Sequence, residues 1–164
     1  MQSFDEVFVA YHQEMVQLAA LILGNLDSSH DAVAEAFART YPKYQHGMIT
    51  NVRAYLQRAV VNETTSTFRK RARQRRLNAR LGTAVDVPSP EQHIVDFDEL
   101  ANALQTLTER QRSIVVLRYW SGLSELETAE QLGVALGTVK SSTARGLALM
   151  RTQLETAKAN YERS

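Results

Sequence analysis

Residues 124–150 read SELETAEQLGVALGTVKSSTARGLALM, and this stretch decides the fold of the second half of the chain. Its apolar spacing predicts a short helix, a turn centred on Gly133, and a second helix with an apolar inner face. Ala129 supplies the small side chain that two closely crossing helices need, and Gly133 tolerates the positive φ of a tight turn. The pattern is that of a helix-turn-helix, which places its second helix in the DNA major groove.

The two faces of this motif are predicted to differ in chemistry. We expect its apolar side chains to be buried, namely Leu126, Leu132, Val134, Val139 and Leu147. The outer face of the second helix keeps small, hydroxyl and cationic side chains, namely Thr138, Lys140, Ser141, Ala144 and Arg145. The two cations are able to reach phosphates or the O6/N7 edge of guanine. The alternative interpretation is an ordinary helical hairpin with two solvated cations.

A second cationic element lies in the middle of the chain, where residues 68–76 read FRKRARQRR. The net charge is only +1, but residues 64–85 alone carry seven basic and no acidic side chains. A local positive patch of this kind attracts polyanions. Amide and hydroxyl side chains precede it, namely Asn62, Thr64, Thr65, Ser66 and Thr67. A helix here could therefore bond base edges and neutralise strand phosphates. The alternative is a solvated, flexible run of charge.

The hydrophobic pattern elsewhere predicts an all-α chain in two parts. The first part should contain three helices, at residues 4–23, from a Ser28/Asp31 capping box to about Pro42, and from about residue 50 to Leu81. Residues 82–92 contain two prolines and small residues, which is typical of a linker. The second part should contain four helices, at about residues 94–106, 109–121, 125–132 and 136–154. We expect Tyr119 and Trp120 to lie in the core of this second part.

The composition argues against an enzyme. The chain has no cysteine, its four histidines are dispersed, and no Gly-rich phosphate loop is present, so we expect no catalytic residue, metal site or cofactor. Each histidine is expected at the surface or in a turn, namely His12, His30, His46 and His93. The longest apolar run, residues 18–23, is too short to span a bilayer, and the N-terminus lacks the basic segment of a signal peptide. A cytoplasmic protein without membrane insertion is expected.

Several motifs resemble the sigma-70 family, and in particular its extracytoplasmic-function (ECF) group. Residues 107–119, LTERQRSIVVLRY, and the Gly122-Leu123-Ser124 that follows are similar to region 4 of that family. Residues 137–141, GTVKS, match the start of its −35 recognition helix, and residues 31–37, DAVAEAF, resemble its region 2. Three side chains resemble the actinobacterial SigE-like subgroup, namely Ser66, Ser142 and Thr143.

The resemblance implies a fold and a function. The fold would be a region 2 helical bundle over residues 1–81 and a region 4 helix-turn-helix over residues 94–156, joined by a flexible linker over residues 82–93. The function would be that of a sigma factor, which binds core RNA polymerase and directs it to specific promoters. Region 2 would read the −10 element and region 4 the −35 element. The implied partners are promoter DNA, the β′ clamp helices and β flap of core polymerase, and an anti-sigma protein.

The matched motifs also imply roles for individual residues. Polymerase binding would fall on Asp31, Glu35 and Arg39. Residues 62–66 would line the −10 pocket and nearby cations would hold strand phosphates, with the roles assigned to Asn62, Thr65, Ser66, Arg69, Lys70 and Arg73. The −35 major groove would be met by Thr138, Lys140, Ser141 and Arg145. Four positions depart from the family pattern, which usually has Gln at Ala34 and often has Asp at Ser66, Arg at Ser142 and a Ser-type helix cap at Ala135.

Two rival functions fit part of the sequence. A stand-alone helix-turn-helix regulator would use residues 124–150 to bind duplex operator DNA without polymerase, but it would leave the basic segment unused. An RNA-binding regulator would instead use the arginine-rich helix. The two rivals differ from a sigma factor in whether DNA binding depends on core polymerase and whether RNA competes for the site.

Overall fold

The computed structural model describes residues 1–82 and 99–163. Residues 1–82 belong to one compact unit and residues 99–163 to a second. The described residues form seven helices: α1 Phe4–Leu23, α2 Leu26–Gln45, α3 Val52–Leu81, α4 Glu99–Gln105, α5 Glu109–Tyr119, α6 Glu125–Leu132 and α7 Leu136–Glu162. These two ranges contain no strand, which confirms the all-α prediction. The predicted linker, apart from Gly82, lies outside the described residues.

In the first unit, α1, α2 and α3 pack against one another as a three-helix bundle. Its fully buried side chains come from all three helices and are Val7, Met15, Leu18, Ile22, Val33, Leu56, Val60 and Val61. Each such burial stabilises the fold by roughly 1.5–3 kcal/mol relative to an exposed side chain. The bundle therefore has enough apolar contact to hold α3 firmly along its N-terminal half.

The start of α2 differs from the prediction. Gly24 ends α1 in the left-handed conformation at φ 71°, and Asn25 then caps α2 by accepting a hydrogen bond from the Ser28 backbone N–H at 2.9 Å. The helix thus begins at Leu26, and the predicted Ser28/Asp31 capping box is wrong. Both Asn and Ser are favourable caps, and the close stop of α1 at Gly24 selects the earlier one. Pro42 lies inside the last turn of α2 rather than at its end.

The second unit is built around α7, which packs against α4, α5 and α6. Its buried centre is Ile114 of α5, Ala129 of α6 and Val139 of α7, with Leu132 and Val134 packed against them. The predicted bounds of α6 are confirmed, whereas α7 continues to Glu162, eight residues beyond the predicted end at residue 154.

Four apolar side chains of this unit were predicted to be buried and are exposed. Tyr119 and Trp120 are 60% and 48% exposed, because they lie at the C-terminal end of α5, beyond its buried residues 112–117. Leu126 is 58% exposed, since α6 turns Thr128 and Ala129 inward. Leu147 is 37% exposed and lies beside the inner stripe of α7 rather than within it.

Candidate nucleic-acid interfaces

The helix-turn-helix has the tight turn that the sequence predicted. Gly133 ends α6 at φ 64°, and its backbone N–H donates to the carbonyl oxygens of Ala129 and Glu130. The Val134 N–H donates to the same Ala129 carbonyl at 3.0 Å. Only two residues then separate Gly133 from the first residue of α7, Leu136. This connection fixes the direction in which α7 leaves the turn.

The inner face of α7 is narrow because its side chains are small. Val139, Ser142, Gly146 and Met150 are buried at spacings of three and four residues. A Cβ atom added at Gly146 would lie 3.0 Å from Cγ2 of Val115, so glycine permits α5 and α7 to approach closely. Close packing under the helix leaves its opposite side free to project from the unit.

The opposite side of α7 carries the residues predicted to meet the −35 groove. Lys140, Ser141 and Arg145 are exposed, and Thr138 is half-buried. Thr138, Ser141 and Arg145 follow at spacings of three and four, which puts them on one stripe of the helix. The structure therefore brings three of the four residues onto one line, with Lys140 beside it.

Lys140 has an acidic neighbour that sequence reasoning did not connect to it. The Nζ atom of Lys140 lies 4.0 Å from Oε2 of Glu125, in the first turn of α6. Both side chains are substantially exposed, so this ion pair is weak. At the N-terminus of α7, Ala135 provides no side-chain cap, which agrees with the departure noted in the sequence.

On α3, four of the predicted −10 residues share a single stripe. Asn62, Ser66, Arg69 and Arg73 follow at spacings of four, three and four residues. Asn62, Arg69 and Arg73 are exposed and Ser66 is half-buried. Thr65 and Lys70 lie on either side of this line. The helix continues through the whole basic segment to Leu81, so the alternative of a flexible charge run is wrong.

Two polar side chains of α3 make contacts within the first unit. Thr64 is buried, and its hydroxyl donates to the Val61 carbonyl at 2.7 Å, so it does not line a base pocket. Arg71 is the half-buried cation of the basic segment. Its Nη2 atom donates to Ser28 Oγ at 3.1 Å, which ties α3 to the start of α2.

The residues predicted to bind polymerase form an exposed row on α2. Asp31, Glu35 and Arg39 follow at spacings of four residues, and all three are exposed. Arg39 Nε donates to Glu35 Oε1 at 2.7 Å and lies 3.4 Å from Oε1 of Glu63 on α3. The pKa of Arg39 is raised, first by the hydrogen bond to Glu35 and then by the negative charge of Glu63. Sequence reasoning missed Glu63, because nothing in the local pattern links positions so far apart.

A second ion pair joins α3 to α1. Arg53 donates through Nη2 to Glu14 Oε1 at 2.6 Å and through Nε to Oε2 at 3.1 Å. The hydrogen bond to Glu14 raises the pKa of Arg53. Arg53 lies nine residues before Asn62, which is two and a half turns, so the two side chains leave opposite sides of α3. This ion pair therefore holds α3 to α1 on the side of the helix opposite the predicted −10 stripe.

The histidines do not form a metal site in the part of the chain that the structure describes. No group of three or more His, Asp or Glu side chains there is arranged to hold a metal ion. His30 and His46 are exposed as expected, whereas His12 is half-buried, with its ring 4.5 Å from that of Phe8. His93 lies outside the described residues. None of the helices over residues 1–82 and 99–163 is long and apolar enough to cross a membrane.

Comparison with known proteins finds a family match in each of the two units. Residues 7–74 match the family model described as Sigma-70 region 2, and residues 97–150 match the model described as Sigma-70, region 4. The chain belongs to the sigma-70 family. The two matched segments cover the −10 stripe of α3 and the helix-turn-helix, respectively. Each of the two surfaces thus lies within a segment that a sigma-70 family model matches.

Relatives of known name are ECF and related sigma factors. The chain is 35% identical to the RNA polymerase sigma-E factor of Streptomyces antibioticus, over 93% of this chain and 85% of the relative. It is 30% identical to the ECF RNA polymerase sigma factor SigW of Bacillus subtilis, over 93% and 89%. The sigma factor RpoE of Bartonella quintana, solved with the anti-sigma factor NepR, has a similar fold with a TM-score of 0.68 at 24% identity, over 93% of this chain and 96% of that chain. The function of the chain is promoter-directed initiation of transcription, and a stand-alone regulator is not favoured.

Proposed function

We propose that the two units of this sigma factor divide promoter recognition between them. The first unit binds core polymerase with α2 and the unpaired −10 strand with α3. The second unit binds the −35 element as duplex DNA with α7. The chain itself catalyses no reaction, and the polymerase supplies the chemistry. These assignments extend the family function to individual helices and side chains.

The observation that carries the proposal is the single stripe on α3. It presents an amide at Asn62, a hydroxyl at Ser66 and cations at Arg69 and Arg73, in that order along one side of a rigid helix. An amide and a hydroxyl bond to base edges, while the cations neutralise the phosphates of the same strand. Thr65 and Lys70 extend the polar and cationic parts of this surface. If a strand runs along the helix axis, its bases would contact Asn62 and Ser66 and its phosphates would contact Arg69 and Arg73.

The outer face of α7 suits duplex DNA instead. The side chains of Thr138, Ser141 and Ala144 are short, so the helix is narrow enough to enter a major groove. Arg145 is long enough to pair with a guanine O6/N7 edge, and Lys140 to reach a phosphate. These four polar residues, Thr138, Lys140, Ser141 and Arg145, form the proposed −35 reading surface.

Core polymerase is the proposed partner of the α2 row formed by Asp31, Glu35 and Arg39. By analogy with the family, this row meets the β′ clamp helices, and the second unit meets the β flap. An anti-sigma protein that covers these faces is a further proposed partner, in line with the complex described for the Bartonella quintana relative. Since core polymerase and promoter DNA lie in the cytoplasm, these proposed partners imply that the protein functions there.

A mobility-shift experiment separates this function from a stand-alone regulator. A promoter duplex is incubated with the protein alone, with core polymerase alone, and with both. We expect a specific complex only with both, because strand opening requires free energy that one small protein does not supply. Tight, specific binding by the protein alone would favour the regulator, and loss of the complex to RNA competitor would favour an RNA-binding role.

A further inference from the structure

Arg39 contacts both α2 and α3, the two helices that carry the proposed surfaces of the first unit. It belongs to the exposed row of α2, yet its Nε atom is 3.4 Å from Oε1 of Glu63, the residue that follows Asn62 on α3. Its other partner is Glu35 of the same helix, at 2.7 Å. One guanidinium therefore serves two carboxylates, one on each helix.

Glu63 faces α2 from the edge of the −10 stripe. Residues 63, 67 and 71 follow at spacings of four on α3, and both ends of this line contact α2, through Arg39 and Ser28. The side chain of Glu63 is only 13% exposed, whereas that of Arg39 is 68% exposed. A carboxylate so far withdrawn from water is costly unless a cation stays beside it.

The location of Glu63 matters for a bound DNA strand. It is adjacent in sequence to Asn62 and one turn or less from Ser66, which belong to the proposed base-binding stripe. An uncompensated carboxylate there would repel the phosphates of a strand held by Arg69 and Arg73. With Arg39 in place, its positive charge offsets the negative charge of Glu63 and weakens this repulsion.

We infer that Arg39 is a positioning residue for the −10 strand, because it neutralises Glu63 at the edge of the strand-binding stripe. This inference rests on the proposed function of α3. It gives Arg39 a second task besides polymerase contact. The same ion pair then links the polymerase-facing row of α2 to the DNA-facing stripe of α3.

The test uses the assembled holoenzyme and a set of four proteins: wild type, Arg39→Gln, Glu63→Gln and the double variant. The matched control is Arg53→Gln, which breaks the ion pair with Glu14 on the side of α3 opposite Asn62. Assembly with core polymerase is measured by fluorescence anisotropy of the labelled protein. Binding of a single-stranded −10 oligonucleotide is then measured at saturating core, over a range of salt concentrations.

At saturating core, we expect Arg39→Gln to weaken oligonucleotide binding by about threefold to tenfold, since a charge near the strand is left uncompensated. The double variant should recover to within about twofold of wild type, and Arg53→Gln should bind like wild type. The salt slope should also become shallower in Arg39→Gln and recover in the double variant. A general loss of folding would not be rescued by removing a second side chain.

Two results would overturn the inference while leaving the proposed function intact. One is a loss in Arg39→Gln that Glu63→Gln does not rescue. The other is weaker assembly with core but unchanged oligonucleotide binding once core is saturating. If the wild-type holoenzyme failed to bind any −10 oligonucleotide, the proposed role of α3 would fall, and the inference with it.

Discussion

The two units hold their proposed DNA-binding helices, α3 and α7, in different ways. In the first unit, polar and charged side chains tie α3 to its neighbours at intervals, through Arg53–Glu14, Glu63–Arg39 and Arg71–Ser28. In the second unit, α7 is held by close packing of small and apolar side chains, and the ion pair that joins it to α6, Lys140 with Glu125, is weak. Like charges along the cationic segment of α3 repel one another, so polar contacts to neighbouring helices help to hold this helix. A helix that enters a DNA groove must instead be narrow.

The apolar support of α7 gives the largest expected effect. Ile114 is fully buried at the centre of the helix-turn-helix, so Ile114→Ala should destabilise the second unit by about 2–5 kcal/mol. The nearby Leu126→Ala is the control, since that side chain is 58% exposed and should change stability by less than about 0.5 kcal/mol. Hydrogen exchange of α5 to α7 measures both. Equal protection in the two variants would contradict the packing account.

The cationic surface of α3 is tested by removing three charges together. Arg69→Gln, Lys70→Gln and Arg73→Gln should reduce the salt slope of strand binding by the holoenzyme by about 2, at roughly 0.7 per phosphate contact. The control triple, Arg75→Gln, Arg76→Gln and Arg80→Gln, removes the same charge from the same helix and should change the slope by less. An identical change in both triples would mean that total charge, and not the proposed stripe, holds the strand.

The reading face of α7 is tested at Arg145. Arg145→Ala should cost about 1–3 kcal/mol of discrimination for an intact −35 element if its guanidinium pairs with a guanine. Transcription from templates with and without that element gives the measurement. Arg151→Ala removes an exposed cation of the same helix outside the proposed face and should preserve discrimination. Equal discrimination in the two variants would remove Arg145 from the −35 surface.

The smallest effect concerns a hydroxyl inside the second unit. Thr128 is fully buried, and its Oγ1 atom has no hydrogen-bond partner. Thr128→Val replaces that hydroxyl with a methyl group of similar size, and should stabilise the unit by about 1 kcal/mol. Thermal denaturation measures the change, with Thr138→Val on the half-buried outer side as the comparison. A loss of stability in Thr128→Val would show that the hydroxyl has a partner after all.

Local sequence patterns were sufficient to predict most of the fold. The spacing of apolar residues predicted α1, α3 and α6, and Gly133 predicted the tight turn, because these features depend on neighbours in the chain. The start of α2 was predicted at Ser28 and lies at Asn25, because both residues are good caps and the end of α1 at Gly24 favours the earlier one. The exposure of Trp120 likewise could not be predicted from the local sequence, because it depends on which residues of α5 are buried by the other helices of the unit.

The candidate sites show the same division. Regular spacing within a helix was enough to place Asn62, Ser66, Arg69 and Arg73 on one side of α3. The pair of Arg39 with Glu63 was not predictable, because two helices must first pack before these side chains meet. The assigned roles of both surfaces remain predictions until DNA and polymerase are present.

Run-off transcription tests the central claim most directly. Purified core polymerase is supplied with this protein and a genomic fragment library, and the RNA products are sequenced. We predict specific start sites that share two upstream elements, with transcription falling when either element is scrambled and absent without the protein. Specific RNA from no site, or initiation that depends on one element alone, would contradict a protein with two separate promoter-reading surfaces.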